Sequence, residues 1–431
     1  MSATGDRLDV LIAGGGVASL EAVIALRALA GERVAIRMLA PEDDFVYRPL
    51  SVAEPFGLGE MRRYPLRRLA DDFDVELLKG SLTSVVPSDS VAFSNGDLEL
   101  AYDALVVAVG ARRLAAFNDA LTFRGDDDVA TLRRVSEAAE AGSVGSVAFV
   151  VPSSIGWPLP LYELALMTAR RARESGSEVR VVLVTPEEEP LAIFGREASQ
   201  QVGALLEEVG IEVRYSAHAE VLAPGVVSLS PGGEELRCGR VVALPALAGP
   251  SVPGLPADPD GFIPTDNFGR VPRVAEVYAA GDGTTFPVKQ GGIACQQADA
   301  VAGAIAKRAG VPGEPEPFRP VLRGMLLTGG DPRYMRTELS GRLGGEAKAG
   351  TERLWWPPSK IAGDHLAPYL SQIDAEALAS GGAKPLELAL DRLPPGVRRR
   401  ALLASDEHGG GFSFLDPASG APPERPRRPR A

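Results

Sequence analysis

The chain has 431 residues, a formal net charge of −12 and two cysteines. That length holds two or three domains, and the acidic balance argues against a nucleic-acid partner. The cysteines form no C-x-x-C or metal-ligand spacing, no apolar run reaches the ~18 residues of a membrane span, and no basic-then-apolar leader opens the chain, so a cytoplasmic protein without structural disulfides or a metal is expected.

The first element is DVLIAGGGVASLEAVIA, residues 9–25. The β-branched run at 10–12 predicts a strand, residues 14–19 a turn, and the pattern from Val17 a helix. Gly14, Gly16 and Ser19 stand at the spacing G-x-G-x-x-S. In a dinucleotide fold the first glycine permits the tight turn and the second lets a pyrophosphate approach the backbone. The third position wants a small side chain so that helix and strand pack closely. The helix start, at Val17 and Ala18, offers N–H groups and a partial positive charge to phosphates. Residues 33–39 read as the second strand. The acidic residue that binds a ribose at its end would fall near Ala40, which cannot do this; Glu42 is the substitute. Residues 45–50, FVYRPL, lead into a loop.

Short strands follow at 75–78, 82–86, 90–93 and 105–109, the last stopping at Gly110. A helix at 126–141 and a strand at 147–151 open a second βαβ unit, with a helix at 161–174 and a strand at 179–184. A helix at 196–209 and strands at 212–215 and 240–244 complete it. Its turn, PSSIGWPLP, has no glycine fingerprint. Pro152, Pro158 and Pro160 remove amide donors, and Trp157 fills space. A strand at 277–280 then meets Gly281-Asp282-Gly283, and a helix runs over 293–308. Strands at 322–327 and 334–338 and a helical stretch at 360–370 come next. The Pro- and Arg-rich residues from 417 are expected to be disordered.

Four of these segments occur in order: GxGxxS at 14–19, YDxLVVAxG at 102–110, the second βαβ unit, and VYAAGD at 277–282. Together they resemble the flavoproteins with two dinucleotide-binding domains, the pyridine nucleotide–disulfide oxidoreductase superfamily. The resemblance implies an α/β chain with two Rossmann-like dinucleotide-binding domains and a small C-terminal α+β domain. Residues 1–112 and 253–315 would form the FAD-binding domain, 113–252 an NAD(P)-like domain with a degenerate fingerprint, 316–416 an interface domain and 417–431 a tail. It implies FAD at Gly14, Gly16, Val17, Ala18 and Ser19. Asp282, after Gly281, would bond the ribityl chain or a phosphate-linked group, Val85 would pair its backbone with adenine, and Gly110 would mark a second pass near the pyrophosphate. FPVKQGG at 286–292 with Gln296-Gln297, and PLYELA at 160–165, are similar to the sulfide:quinone oxidoreductase, flavocytochrome sulfide dehydrogenase and type II NADH dehydrogenase branches. The chain departs from the first of these in its cysteines: none stands near residues 155–157, and no dithiol is present.

Gln290, Gly291 and Gly292 open a helix whose N–H groups can face the pyrimidine end of a flavin. Lys289 would add a full charge there or be solvated. Arg48 and Pro49 would pack against the isoalloxazine or anchor their loop. Cys295 reads as a reactive thiol or as a small buried helix residue. His365, Trp355 and Trp356 would wall an acceptor pocket or pack. Ile361, Leu366, Tyr369 and Leu370 form an amphipathic face that suits a membrane surface or a homodimer interface. Three functions stay open. The first is an FAD-dependent oxidoreductase passing electrons from a small donor other than NAD(P)H to a quinone-like or other small acceptor. The second is an NAD(P)H:acceptor reductase using Glu187 on a ribose, and the third a flavin-binding protein without electron transfer.

Overall fold

The computed structural model describes residues 7–379, apart from 97 and 340–346. Two five-stranded parallel sheets carry it. In the first, Leu8–Ala13 is central. Val34–Ala40 and then Val75–Lys79 lie on one side, Ala104–Val107 and then Val277–Ala279 on the other. Val10, Leu11 and Ile12 are wholly buried, as a strand covered on both faces requires. In the second sheet Ser146–Val150 is central. Arg180–Val184 and Glu212–Arg214 flank it on one side, Arg240–Ala243 and Leu121–Thr122 on the other. This is the α/β architecture with Rossmann-like parallel sheets that the sequence implied.

The helix Val17–Ala30 packs against the helix Gly291–Arg308 through small buried residues, among them Ala22, Ala25, Ala298 and Ala302. An antiparallel sheet of Val321–Leu326, Arg333–Glu338 and Ala347–Gly350 lies against the second parallel sheet's helices. Gly324 abuts the ring of Phe194 and the side chain of Leu159. Arg170 Nε donates to the Thr328 carbonyl at 2.9 Å, and Gln201 Nε2 to the Ala349 carbonyl at 3.2 Å.

Most strands and helices fall within two residues of their expected bounds; the last helix does not. It runs over Leu366–Ala379, not from residue 360. The reason lies far away in sequence. The buried Glu21 carboxylate accepts the N–H groups of His365 at 2.9 Å and Leu366 at 2.6 Å, satisfying donors that every helix start leaves open. Ile361, Leu366, Tyr369 and Leu370 are all buried and pack with the opening helix. The face expected for a membrane or a dimer is therefore turned inward. Two further features escape the sequence reading: the hairpin of Asp44–Tyr47 with Arg62–Pro65, and the three-stranded sheet of His218–Ala223, Val226–Ser230 and Glu235–Arg237. Among the described residues no helix is long and apolar enough to cross a membrane. The expected tail lies outside the described residues, as does the end of the expected interface domain.

Glu21→Ala removes the acceptor of two buried amides. Urea unfolding should show a loss of about 2–3 kcal/mol, with the amides of His365 and Leu366 exchanging faster than in the parent.

Candidate functional site

The carboxyl ends of the first sheet's strands converge on a cavity of about 500 Å³. The turn after Leu8–Ala13 is held by Gly14 N–H donating to the Leu39 carbonyl at 2.8 Å. Gly14 has φ +126°, and a Cβ there would run into the Ala108 carbonyl; only glycine permits that approach. A Cβ on Gly16 would meet nothing, and no side chain caps the helix Val17–Ala30. Its first N–H groups, with Val17 and Ala18 on the wall, open onto the cavity.

Glu42, Arg48, Pro49 and Gly110 line the same space, and so do Gly281, Asp282 and Gly291. Gln297 fixes the acidic turn: its Oε1 accepts Gly281 N–H at 2.7 Å, and its Nε2 donates to Thr284 Oγ1 at 3.2 Å. Burial raises the Asp282 carboxyl, with Lys289 and Arg113 working against it. The uncapped helix start, the glycine cradle and this inward carboxylate fit a dinucleotide.

Four expected ligands sit elsewhere. Ser19 is buried behind the turn with its hydroxyl beside Gly14. Val85 does not reach the wall. Its N–H donates to the Pro253 carbonyl at 2.9 Å and its carbonyl lies against Gly254, while Ser81 and Leu82 line the cavity. The adenine pairing expected of Val85 is thereby corrected, because the 252–255 segment already occupies its backbone. Gln290 caps its helix, accepting Ile293 N–H at 2.9 Å and donating to the Arg323 carbonyl at 3.1 Å. Gly292 is buried beneath that side chain.

A second cavity, of about 240 Å³, adjoins the first and shares Arg48, Pro49, Arg113, Asp282 and Gly291 with it. Trp157, Met325 and Lys360 stand on its wall. Behind Lys360 lies Glu163, with no exposure. Both Glu163 oxygens are 2.6 Å from Lys360 Nζ, and Oε1 also accepts Leu327 N–H at 2.8 Å. Burial pushes the Glu163 carboxyl up and the Lys360 ammonium down, and their contact opposes both shifts. The sequence reading missed this pair. Its signal was a lone carboxylate within the apolar run at 161–166.

The two expected catalytic residues stand in different surroundings. Lys289 lines the second cavity, but its ammonium donates to the Thr284 carbonyl and lies 4.0 Å from the centre of the Phe262 ring. It braces the acidic turn, and burial lowers it to about 8. Cys295 is wholly buried and faces Glu21, Asp299 and Asp364, which, after burial, push its thiol up. It lines neither cavity. Cys238 is half-buried near Ser146, its thiol also raised by burial. His365 Nε2 lies 3.9 Å from Asp299. Trp355 stacks edge-on against Tyr334 at 5.3 Å, and Trp356 is 70% exposed. None of these three walls either cavity. Among the described residues no cluster of His, Cys, Asp and Glu could hold a metal.

The family described as pyridine nucleotide-disulphide oxidoreductase matches residues 8–300. This chain belongs to that family. It is an FAD-dependent oxidoreductase. No curated protein sequence matches it. Its structure is similar to that of the sulfide:quinone oxidoreductase from Aquifex aeolicus, at 17% identity over 93% of this chain and 96% of that one, TM-score 0.71. It is similar to the ferredoxin reductase for the CYP199A2 system from Rhodopseudomonas palustris, at 21% identity over 77% and 83%, TM-score 0.60. It is also similar to an NAD-dependent persulfide reductase from A. fulgidus, at 17% over 78% and 64%, TM-score 0.56.

Gly14→Ala should purify without FAD, read as loss of the flavin band near 450 nm relative to protein absorbance. Competitive acetylation across pH should give Lys289 an apparent pKa near 8, while exposed lysines follow the usual value of about 10.4. The lower value follows from burial disfavouring the charged amine.

Proposed function

We propose that this oxidoreductase takes electrons from a small donor other than NAD(P)H and passes them to a quinone-like or other small acceptor. The carrying observation is the turn of the second βαβ unit, where a nicotinamide dinucleotide would place its diphosphate. A Cβ on Gly156 would run into the Pro287 carbonyl, so the neighbouring backbone already fills the space over the turn. The helix Leu159–Glu174 follows Pro158 and carries Pro160 in its first turn, which removes amide donors that a phosphate would use. Trp157 packs on Phe194 at 5.8 Å, and Gly324 abuts the same ring. The strand Val321–Leu326 thus covers the helix start.

Glu187, the candidate ribose ligand, is engaged inside. The hydroxyls of Tyr162 and Thr185 donate to its Oε2 at 2.7 and 2.9 Å, and burial raises its carboxyl. This favours a non-nicotinamide donor over the NAD(P)H:acceptor reading.

When bound, FAD supplies hydride and single-electron exchange. The residues around it bind, orient and move protons. The turn at Gly14 and Gly16 and the start of the helix Val17–Ala30 would hold the diphosphate, and Glu42 would accept from a ribose hydroxyl. Gly291 brings a second helix start to the boundary of the two cavities. An acceptor that takes up two electrons also takes up protons. Lys360 Nζ is the atom on the second cavity's wall that can hold one, with the Glu163 carboxylate behind it. A two-cysteine relay has no support, since both thiols lie off the cavity walls.

Anaerobic mixing of the FAD-loaded protein with NADH or NADPH should leave the flavin band unbleached over minutes; bleaching within milliseconds would overturn the donor assignment. Dithionite-reduced protein should be reoxidised by a soluble quinone, and Lys360→Met should slow that step about 10²-fold with the flavin still bound.

A further inference from the structure

Two stretches of chain stand at the boundary of the two cavities. Arg48 and Pro49 line both; Lys360 lines the second and Ile361 the first. The first stretch leaves the strand Asp44–Tyr47 for a short helical turn. The second, residues 355–361, belongs to no helix or strand. It packs on the helix Gly291–Arg308, so closely that a Cβ on Gly291 would come within 2.9 Å of Ile361 Cγ1.

A segment outside any ladder takes its shape from individual hydrogen bonds. Trp355 Nε1 donates to the Ser359 carbonyl at 3.0 Å, and Ser359 Oγ donates to the Ile361 carbonyl at 2.6 Å. Those bonds close within the segment. Two buried side chains tie it to the rest of the protein. Glu163 holds the tip of the Lys360 side chain. Tyr47 holds the backbone beneath it: its hydroxyl accepts the Ile361 N–H at 3.0 Å and also meets the Lys360 backbone and the Ser359 side chain. Burial raises the Tyr47 phenol far above its ordinary value, so the hydroxyl keeps its proton. Tyr47 lines neither cavity, and its only route to a reactant runs through a neighbour.

We infer that Tyr47 is a positioning residue for acceptor reduction: its hydroxyl fixes the backbone at 360–361 and so sets where the Lys360 ammonium stands on the wall of the second cavity. This rests on the reading above in which Lys360 holds the acceptor's proton. A quinone that has gained a hydride needs one proton to become a hydroquinone. Lys360 Nζ gives that proton up, is left as a neutral amine and regains a proton from water. Lysine's long flexible stem does not place its own tip, and a displacement of about 1 Å can cost up to about 10²-fold in rate.

Tyr47→Phe removes the hydroxyl and keeps the ring. In this variant the Ile361 amide should exchange with deuterium about tenfold faster. Competitive acetylation should find the Lys360 amine below the ordinary lysine range in the parent and moved by at least about 0.5 pH unit in the variant. Dithionite-reduced, FAD-loaded Tyr47→Phe should be reoxidised by a soluble quinone about tenfold more slowly than the parent. In a Lys360→Met background the same change should slow reoxidation by no more than about twofold further. Ser359→Ala, which removes the side chain that meets the hydroxyl, should show the same pattern at about threefold and serves where Tyr47→Phe does not fold. An unmoved Lys360 titration, or equal slowing with and without Lys360, overturns the inference. A Lys360→Met protein reoxidised at the parent rate overturns the proton role given to Lys360, and the inference with it.

Discussion

The carboxylate of Glu163 is the point at which three parts of this molecule are tied. It has no contact with solvent, and it joins the helix Leu159–Glu174 to Lys360 and to the Leu327 amide at the end of the antiparallel sheet's first strand. An unpaired charge in that position would cost several kcal/mol, so the three segments are held in one arrangement. Two consequences follow from the same contact. Lys360 is set on the wall of the second cavity, and the antiparallel sheet is laid over the start of the second unit's helix.

The two parallel sheets share the order of four strands and differ in the fifth, an edge strand that comes last in the chain in the first sheet and first in the second, and their turns have different chemistry. At Gly14 the backbone makes room and leaves amides facing a cavity. At Gly156 the neighbouring Pro287 backbone occupies the room, and prolines replace the donors. Fold likeness to several oxidoreductases at 17–21% identity cannot distinguish these cases, because binding resides in some ten residues grafted on a common frame.

What could be read from the sequence was whatever neighbours in the chain decide. The buried strands stood out as continuous apolar runs, the opening turn as glycines at fixed spacing, and the second turn as prolines where glycines are expected. What could not be read depends on partners brought from afar. Glu21 caps a helix 344 residues away, and Glu163 meets Lys360 across 197. Each stands as a carboxylate in an apolar helical run, which signals a buried partner without saying which. Val85 was misplaced because the 252–255 segment that covers it is distant in sequence. Cys295 stays open between a reactive thiol and a buried helix residue in the sequence, because helix position alone does not tell the cavity side from the side packed on Glu21.

Gln296 and Gln297 project about 100° apart around their helix. Gln297 grips the acidic turn through Gly281 and Thr284. Gln296 exchanges hydrogen bonds with the backbone of Val321 at 2.8 and 2.9 Å. One rigid rod thus gears the cofactor's floor to the roof of the reactant chamber. Any tilt that seats the cofactor more deeply must also shift the sheet that sets how wide that chamber stands.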